Sequence, residues 1–543
     1  MNRSAAPGRQ PAAAIAGGAA AVALTIVFAT ALRRPLVTWP FAANPASYCC
    51  GHPDEVGHYE LARAFRSGTD PGTYPPGFAV LTSVALSTPV SGAAAALVPA
   101  AVAGEDREKA RVIATGRIVS LAFSGAAVAL LYVLCLAAGI PAGIAAVSAP
   151  IFALAPLFLV QGTYALPDAG HAALVVGMLV AFFAWDRRRN SILEVLFGFL
   201  LGGTFAFKLV GVVVGLPPAV SMVVRSHSRR RTAATVGLSF LAGVLAFSGG
   251  FLGFASPSAI FHKVVVENAR ASRIRPIANF VHHVLSVAPG MGLLFAVLLL
   301  FAVTSFVGRT ALARARRPFR PLDRLPAAAI GAGLYAVGVS FSSNPFTRHM
   351  LPIYPLLVLF ALSEVAFQAG RRTPGIRALL VLGLFVSFLA YGAWASRPVL
   401  ASFVDDPVDR AVKWVRSETP CEPRVPPLRN FAPVESPATR PRAPGEPARV
   451  MIVHSAWLGR LTGSWWLKAA PADLRDVYHF EGGLPELRFW QKLAAAGEAD
   501  GWRVIRSFGD DWKTPESRFL SALGRGYDQF VTAGRVLVVA RAD

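Results

Sequence analysis

Long apolar runs recur through the first 395 residues of this chain, separated by short loops that carry arginines. The runs lie near 11–32, 112–137, 140–161, 168–185, 191–207, 209–224, 232–254, 283–308, 325–341, 350–368 and 377–395. Roughly 20 apolar residues cross the hydrocarbon core of a bilayer, so the pattern dictates an all-α polytopic membrane domain. Composition agrees. Of the 543 residues, 54% are hydrophobic and 15% charged, where soluble domains carry about 25% charge. A soluble enzyme of this size and a disordered chain are both excluded. The net charge of +22 points at first to nucleic acid. The arginines sit between spans, however, where they set orientation, so no nucleic-acid partner is implied.

The acids are unevenly placed. Only 13 of the 31 Asp and Glu precede residue 396, and 18 lie in the last 148 residues. This shift predicts a membrane domain over 1–397 and a polar domain over 398–543. Each acid left among the spans needs a physical reason, because ionisable groups are expensive there. The 4 cysteines are too few for a disulfide framework. Cys135 lies in an apolar run and reads as packed. Cys49 or Cys50 would bridge to Cys421 only if both regions faced an oxidising compartment; otherwise the thiols stay free.

Arginine clusters orient the helices. Arg187–Arg189, Arg225 with Arg229–Arg231, the stretch from Arg309 to Arg324, and Arg371, Arg372 and Arg377 all fall in short loops. The positive-inside rule makes these loops cytoplasmic, with the N-terminus on the same side. An even number of crossings must then precede Arg187. A further run, 77–103, makes the count odd. Pro75-Pro76 opens it, and Pro89 and Gly92 interrupt it. It is read as re-entrant or juxtamembrane, which leaves about 11 spans. Residues 33–111, 162–168, 208, 255–282, 342–349 and the tail then share the outer face. So do most of the unusual polar groups: Asp54, Glu55, Asp168, Lys208, Glu267, Arg270, Arg348 and His349. Arg33 and Arg34, at the outer end of the first span, break the charge rule, which calls for either a functional partner or a different topology.

The first outer loop reads His52-Pro53-Asp54-Glu55, followed by Tyr59, Ala62 and Phe65 at helical spacing. Pro53 suits a helix start, where its missing N–H costs nothing, and Asp54-Glu55 suit the first turn. A short amphipathic helix at the membrane surface is expected, with Gly72-Thr73-Tyr74-Pro75-Pro76-Gly77 turning into the re-entrant run. Taken alone, the acidic pair caps a helix as readily as it reacts. Its setting resembles the GT-C superfamily of membrane glycosyltransferases, over roughly residues 1–395 in layout. His52-Pro53-Asp54-Glu55 is similar to the HPDE signature of the mannosyltransferases that build lipid anchors. The later layout is similar to the protein O-mannosyltransferase and aminoarabinose-transferase branch. There a second Asp follows the third span, as in Tyr164-Ala165-Leu166-Pro167-Asp168, and an Arg–aromatic–Leu-Pro pattern recurs late, as in Phe346-Thr347-Arg348-His349-Met350-Leu351-Pro352. One departure stands out: Tyr74 occupies the place before Pro-Pro where the aminoarabinose branch has Lys.

The resemblance implies transfer of a sugar from a polyprenyl-phosphate carrier to a glycan, lipid or protein acceptor. Asp54 and Glu55 are the candidate catalytic residues, with Asp54 the base that the resemblance points to for an acceptor hydroxyl. Direct displacement would invert the anomeric carbon. A departing lipid phosphate is stabilised by cations. Lys208, Arg270, Arg348, Arg33 and Arg34 are therefore candidate binding residues, joined by His349 beside Arg348 and by Asp168, the second Asp that the resemblance points to. Each has a plainer alternative: Asp168 as a helix cap, Lys208 snorkelling from a helix end, Glu267–Arg270 as a solvated ion pair on a helix over 260–271, and Arg348 as an interface anchor. His52, Asp54, Glu55 and His58 lack the spacing of a metal site. No glycine-rich phosphate loop appears, so no metal and no cofactor are expected.

In the tail, 405–415 predicts an amphipathic helix, 419–448 an exposed Pro/Arg-rich loop, and 449–453 and 535–540 two strands. Between the strands lie Trp465, Trp466, Trp490, Trp502 and Trp512. A small α/β extracytoplasmic domain is expected. The abundance of Ala and Arg suggests a bacterial inner (plasma) membrane. Two other readings stand beside the transferase: a transporter or flippase for a lipid-linked or small solute, and a non-catalytic relative that acts as an assembly partner. A transporter favours internal repeats and midplane binding groups. No clear repeat is seen, and the odd polar groups gather at one face.

Overall fold

The computed structural model describes residues 10–39, 53–69, 75–100, 104–256, 276–313, 324–341, 347–404, 407–418, 434–435, 450–454, 492–493, 496–508 and 536–541, with Val102, Ser258 and Phe489. Helices dominate to residue 418. In chain order they are α1 Ala12–Leu32, α2 Arg34–Thr38, α3 Pro53–Arg66, α4 Gly77–Leu86, α5 Pro89–Ala96, α6 Gly104–Ala138, α7 Ala142–Ala146, α8 Ser148–Ala153, α9 Pro156–Gln161, α10 Asp168–Arg188, α11 Ser191–Phe207, α12 Val212–Arg225 and α13 Arg229–Ser248. They continue as α14 Pro276–Leu285, α15 Val287–Met291, α16 Leu293–Ala313, α17 Arg324–Ser340, α18 Tyr354–Ala369, α19 Pro374–Val404 and α20 Pro407–Glu418.

Among the described residues, five helices are long and apolar enough to cross a membrane, within α1, α6, α10, α13 and α19. Six further apolar stretches are shorter. This is a multi-pass membrane protein. Burial sorts the helices into layers. In α10, 89% of the apolar window is inside the protein, whereas the figures for α1 and α19 are 22% and 17%. So α10 is the axis of the bundle. The edge helices expose Leu24 and Val27, and Leu379, Leu382 and Val386, as lipid-facing residues must.

The run at 77–103 does not form one straight span. Its helices α4 and α5 meet at an 87° bend, where the Thr88 hydroxyl caps Val90 N–H and Pro89 opens the second helix. With 10 and 8 residues, the halves reach only about 15 and 12 Å, and neither crosses about 30 Å alone. Two of the expected spans need correction. The run at 140–161 is three short buried helices, α7, α8 and α9, broken near Pro150 and at Pro156. The run at 283–308 is interrupted at Gly292, whose φ of 93° ends α15 before α16 begins.

Beyond residue 418 an antiparallel sheet is described, ordered β1-β2-β5-β4-β3: Val434–Glu435, Val450–His454, Val536–Arg541, Trp502–Phe508 and Glu498–Ala499. The two strands read from the sequence pair with each other, Ile452 opposite Val538. Helix α20 is the expected amphipathic helix. It buries Ala411 and Val415, and Trp414 meets Phe508 with ring centroids 6.1 Å apart. Helix α19 runs unbroken through Arg397 to Val404. Trp465, Trp466, Trp490, Trp512, Cys49, Cys50 and Cys421 lie outside the described residues; Cys135 is free and buried.

Candidate active site

Two polar clusters occupy the same end of the bundle, and one loop connects them. The first is built on α3 and α6. Helix α3 begins at Pro53, so Asp54 and Glu55 occupy its first turn. The side chain of Asp54 lies outside the described residues. Glu55 is fully buried. Its Oε1 accepts from Arg117 Nε at 2.8 Å and its Oε2 from Arg117 Nη2 at 2.7 Å. Oε1 also accepts the backbone N–H of Ala165 at 2.8 Å. Arg117 is itself wholly buried. Its Nη1 donates to the carbonyls of Leu36 and Val37, each at 3.1 Å, and to that of Trp39. One bidentate ion pair thus ties the Asp54-Glu55 turn to three segments: α6, the end of α2, and the loop before α10. Such a pair is tolerable away from water because its remaining lone pairs and protons are satisfied.

The second cluster lies at the start of α10. Asp168 is buried, and Lys208 Nζ meets its Oδ1 at 2.5 Å. Lys208 stands at a break. It ends α11 with an extended backbone, φ −152° and ψ 122°, and a short 3-10 turn, Leu209–Gly211, leads into α12. The break aims the ammonium across at α10. Arg348, in the 3-10 turn Thr347–Met350 with His349, is close enough for its charge to act on Asp168. Tyr335 of α17 donates to the His349 carbonyl at 2.8 Å. Burial, with Lys208 and Arg348 nearby, holds the His349 imidazole well below its ordinary range, which favours the neutral ring.

Phe207 positions Lys208. Its ring is fully buried and lies against two glycines, Gly77 at the start of α4 and Gly170 in the first turn of α10. A Cβ on Gly77 would come within 2.6 Å of Phe207 Cδ2, and one on Gly170 within 2.2 Å of Phe207 Cε1. The Pro-Pro-Gly turn and the Asp168 helix therefore approach each other only because both positions lack a side chain. Gly170→Ala is expected to cost about 1–3 kcal/mol by overpacking, to be read as a lower melting temperature of the detergent-solubilised protein. Leu or Met at 207, which yields more easily than a ring, is expected to restore part of the loss.

The remaining residues named from the sequence separate. Arg33 is buried and joins neither cluster: its Nη2 donates to the carbonyls of Ala153 and Phe158 at 3.3 and 3.2 Å, and its guanidinium lies 5.2 Å from the Phe158 ring centroid. These carbonyls belong to the end of α8 and to α9, and that of Phe158 also accepts the Gly162 N–H at 2.9 Å. Arg34 is exposed. Arg270 and Glu267 lie outside the described residues. The residue that sequence reasoning missed is Arg117. Its signal was present: a lone arginine inside the apolar run that begins at Val112, a position where a charge demands a partner.

The opposite end of the bundle is also ionic. Asp186 pairs with Arg225 at 2.8 Å and with Arg189 at 3.3 Å. Glu194 accepts from Trp185 Nε1 and from the Thr232 hydroxyl, both at 3.0 Å, and Glu364 pairs with Arg309. The arginine-rich loops and the Asp168–Lys208 cluster are thus separated by the length of α10, about 31 Å. Among the described residues no group of three or more His, Cys, Asp or Glu is placed to hold a metal ion.

No family model and no curated protein matches this chain. Among solved structures, it is similar to ArnT from Cupriavidus metallidurans bound to undecaprenyl phosphate, at 18% identity and a TM-score of 0.42, over 73% of this chain and 72% of that one. It is also similar to the Archaeoglobus fulgidus oligosaccharyltransferase. In its apo form the identity is 14% and the TM-score 0.41, over 71% of this chain and 58% of that one. In complex with Zn and sulfate the values are 16% and 0.43, over 74% and 55%. This chain therefore spans little more than half the length of the oligosaccharyltransferase.

Proposed function

We propose that this protein is a membrane glycosyltransferase that moves a sugar from a polyprenyl-phosphate carrier to an acceptor hydroxyl, with inversion, on the extracytoplasmic face. The observation that carries the reading is the Glu55 carboxylate, held by Arg117 and by Ala165 N–H. That contact brings the first turn of α3, and with it Asp54, against the loop that delivers Asp168 three residues later. The same loop thus links the Asp54-Glu55 turn to the cluster that contains Lys208.

In this mechanism Asp54 accepts the acceptor's proton as its oxygen attacks the anomeric carbon. The bond from that carbon to the carrier phosphate breaks, and the electron pair leaves on the phosphate. Lys208 and Arg348 offset the developing charge; Arg348 offers a planar fork suited to phosphate, and Lys208 a point charge. Asp168 holds the ammonium of Lys208 in place until a phosphate shares it. Glu55, with both oxygens engaged, is a positioning residue in this scheme and not a second base. The carrier's tail lies along the lipid-facing surface, in the inner membrane of the cell. The test is a panel of prenyl-phosphate sugars supplied to the purified protein, with the freed carrier read by mass. Release of the prenyl phosphate with one sugar of the panel supports the reading. Flux of a labelled solute across proteoliposomes with no sugar transfer would replace it with a transporter.

A further inference from the structure

The polar end of α3 forms a second recess, away from the clusters above. It is a crevice of about 260 Å³ lined by Tyr59, Arg63, Arg66, Leu86, Glu108 and Val112, among others. Arg63 follows Glu55 by eight residues, about 12 Å along the helix, so the crevice does not share the Glu55–Arg117 pair. Its wall on α6 changes character within one turn. Glu108 is exposed, whereas Val112 is buried in the stretch that becomes the long span Asp106–Ala138. Its wall on α3 belongs to an amphipathic helix that buries Tyr59 and Ala62 and exposes Glu60, Arg63 and Arg66. Leu86 closes it from the last position of α4, next to the bend. A recess whose lining passes from charged to apolar where a membrane-crossing helix begins stands at headgroup level.

The charges specify more than an anion. Arg66 Nη1 lies 3.9 Å from Glu108 Oε1, and both side chains are about half exposed. So loose a surface pair is worth little and opens readily to a ligand. Lys109 Nζ sits 5.7 Å from the Tyr59 ring centroid, which draws the lysine toward the aromatic wall. The crevice therefore offers two guanidiniums for a phosphate and one carboxylate for a cation, with apolar Leu86 and Val112 below. A headgroup with phosphate alone would meet Glu108 unfavourably.

We infer that this crevice is a site for a membrane phospholipid whose headgroup joins a phosphate to a primary ammonium: the phosphate lies between Arg63 and Arg66, the ammonium on Glu108, and the first acyl carbons on Leu86 and Val112. The site is independent of the proposed transfer reaction. Native mass spectrometry of the full chain, delipidated and then offered phosphatidylethanolamine, phosphatidylglycerol or phosphatidylcholine in the same detergent, tests it. The wild-type protein is expected to retain phosphatidylethanolamine in preference to both others. R63Q/R66Q is expected to lose that retention roughly tenfold, and E108Q to lose the preference over phosphatidylglycerol. Equal or stronger retention of phosphatidylglycerol by the wild type overturns the inference, as does unchanged retention by R63Q/R66Q. Should the double variant fail to fold, the wild-type preference and the E108Q comparison still decide.

Discussion

Arg117→Met is expected to destabilise the protein by about 3–5 kcal/mol, because it leaves the Glu55 carboxylate charged, buried and without its partner. Both side chains of the pair are 0% exposed, so solvent cannot repair the loss. The substituted protein also frees the carbonyls of Leu36, Val37 and Trp39, each of which lost a donor. Thermal unfolding in detergent checks the stability. Glu55→Gln combined with Arg117→Met is expected to regain a clear part of it, since no charge is then stranded. Arg117→Lys is expected to fall between: one ammonium cannot reproduce the two parallel bonds to the carboxylate and three to backbone. If Arg117→Met melted like the parent, the ion pair would not be what holds α3 against α6.

Asp54→Asn is expected to reduce transfer by roughly 10²- to 10⁴-fold, the range for removing a general base, while melting stays within about 0.5 kcal/mol of the parent. The contrast with Arg117 is the useful part. Substituting the clamp is expected to cost stability and activity together, whereas substituting Asp54, the proposed base, is expected to cost activity alone. Transfer that survives Asp54→Asn undiminished would take Asp54 out of the mechanism. Asp168→Asn gives a third pattern. It removes the partner that holds Lys208 and is expected to raise KM for the lipid donor more than it lowers kcat.

Much of this was legible because it follows from composition or local spacing. Pro53 opens α3 as its missing N–H predicts, and the apolar and charged faces of that helix follow from Tyr59, Ala62 and Phe65. The Pro-Gly interruptions at 75–92 announce the bent pair. Asp168, Lys208, Arg348 and His349 were legible as polar groups in apolar surroundings, and three-dimensional proximity joins them. What was illegible depends on pairing across distance. Nothing local says that Glu55 and Arg117, 62 positions apart, share two hydrogen bonds, or that Arg33 donates to the carbonyls of Ala153 and Phe158. Hydropathy alone also made 140–161 look continuous, although Pro150 and Pro156 each remove a helical N–H and mark its breaks. In the tail, Trp502–Phe508 escaped notice because its register shifts between Val504 and Arg506, which spoils the alternation that identifies a strand.

The length of the last membrane helix has a further meaning. Helix α19 carries Phe403 past the expected boundary at 397, and there its ring meets Trp39 edge-on at 5.3 Å and Tyr164 at 6.4 Å. Trp39 supplies a carbonyl to Arg117, and Tyr164 precedes the N–H that binds Glu55. The end of α19 therefore packs against the two segments that hold the Glu55–Arg117 pair. A chain truncated at 397 is expected to loosen the Glu55 clamp and lose transfer, even though every span survives.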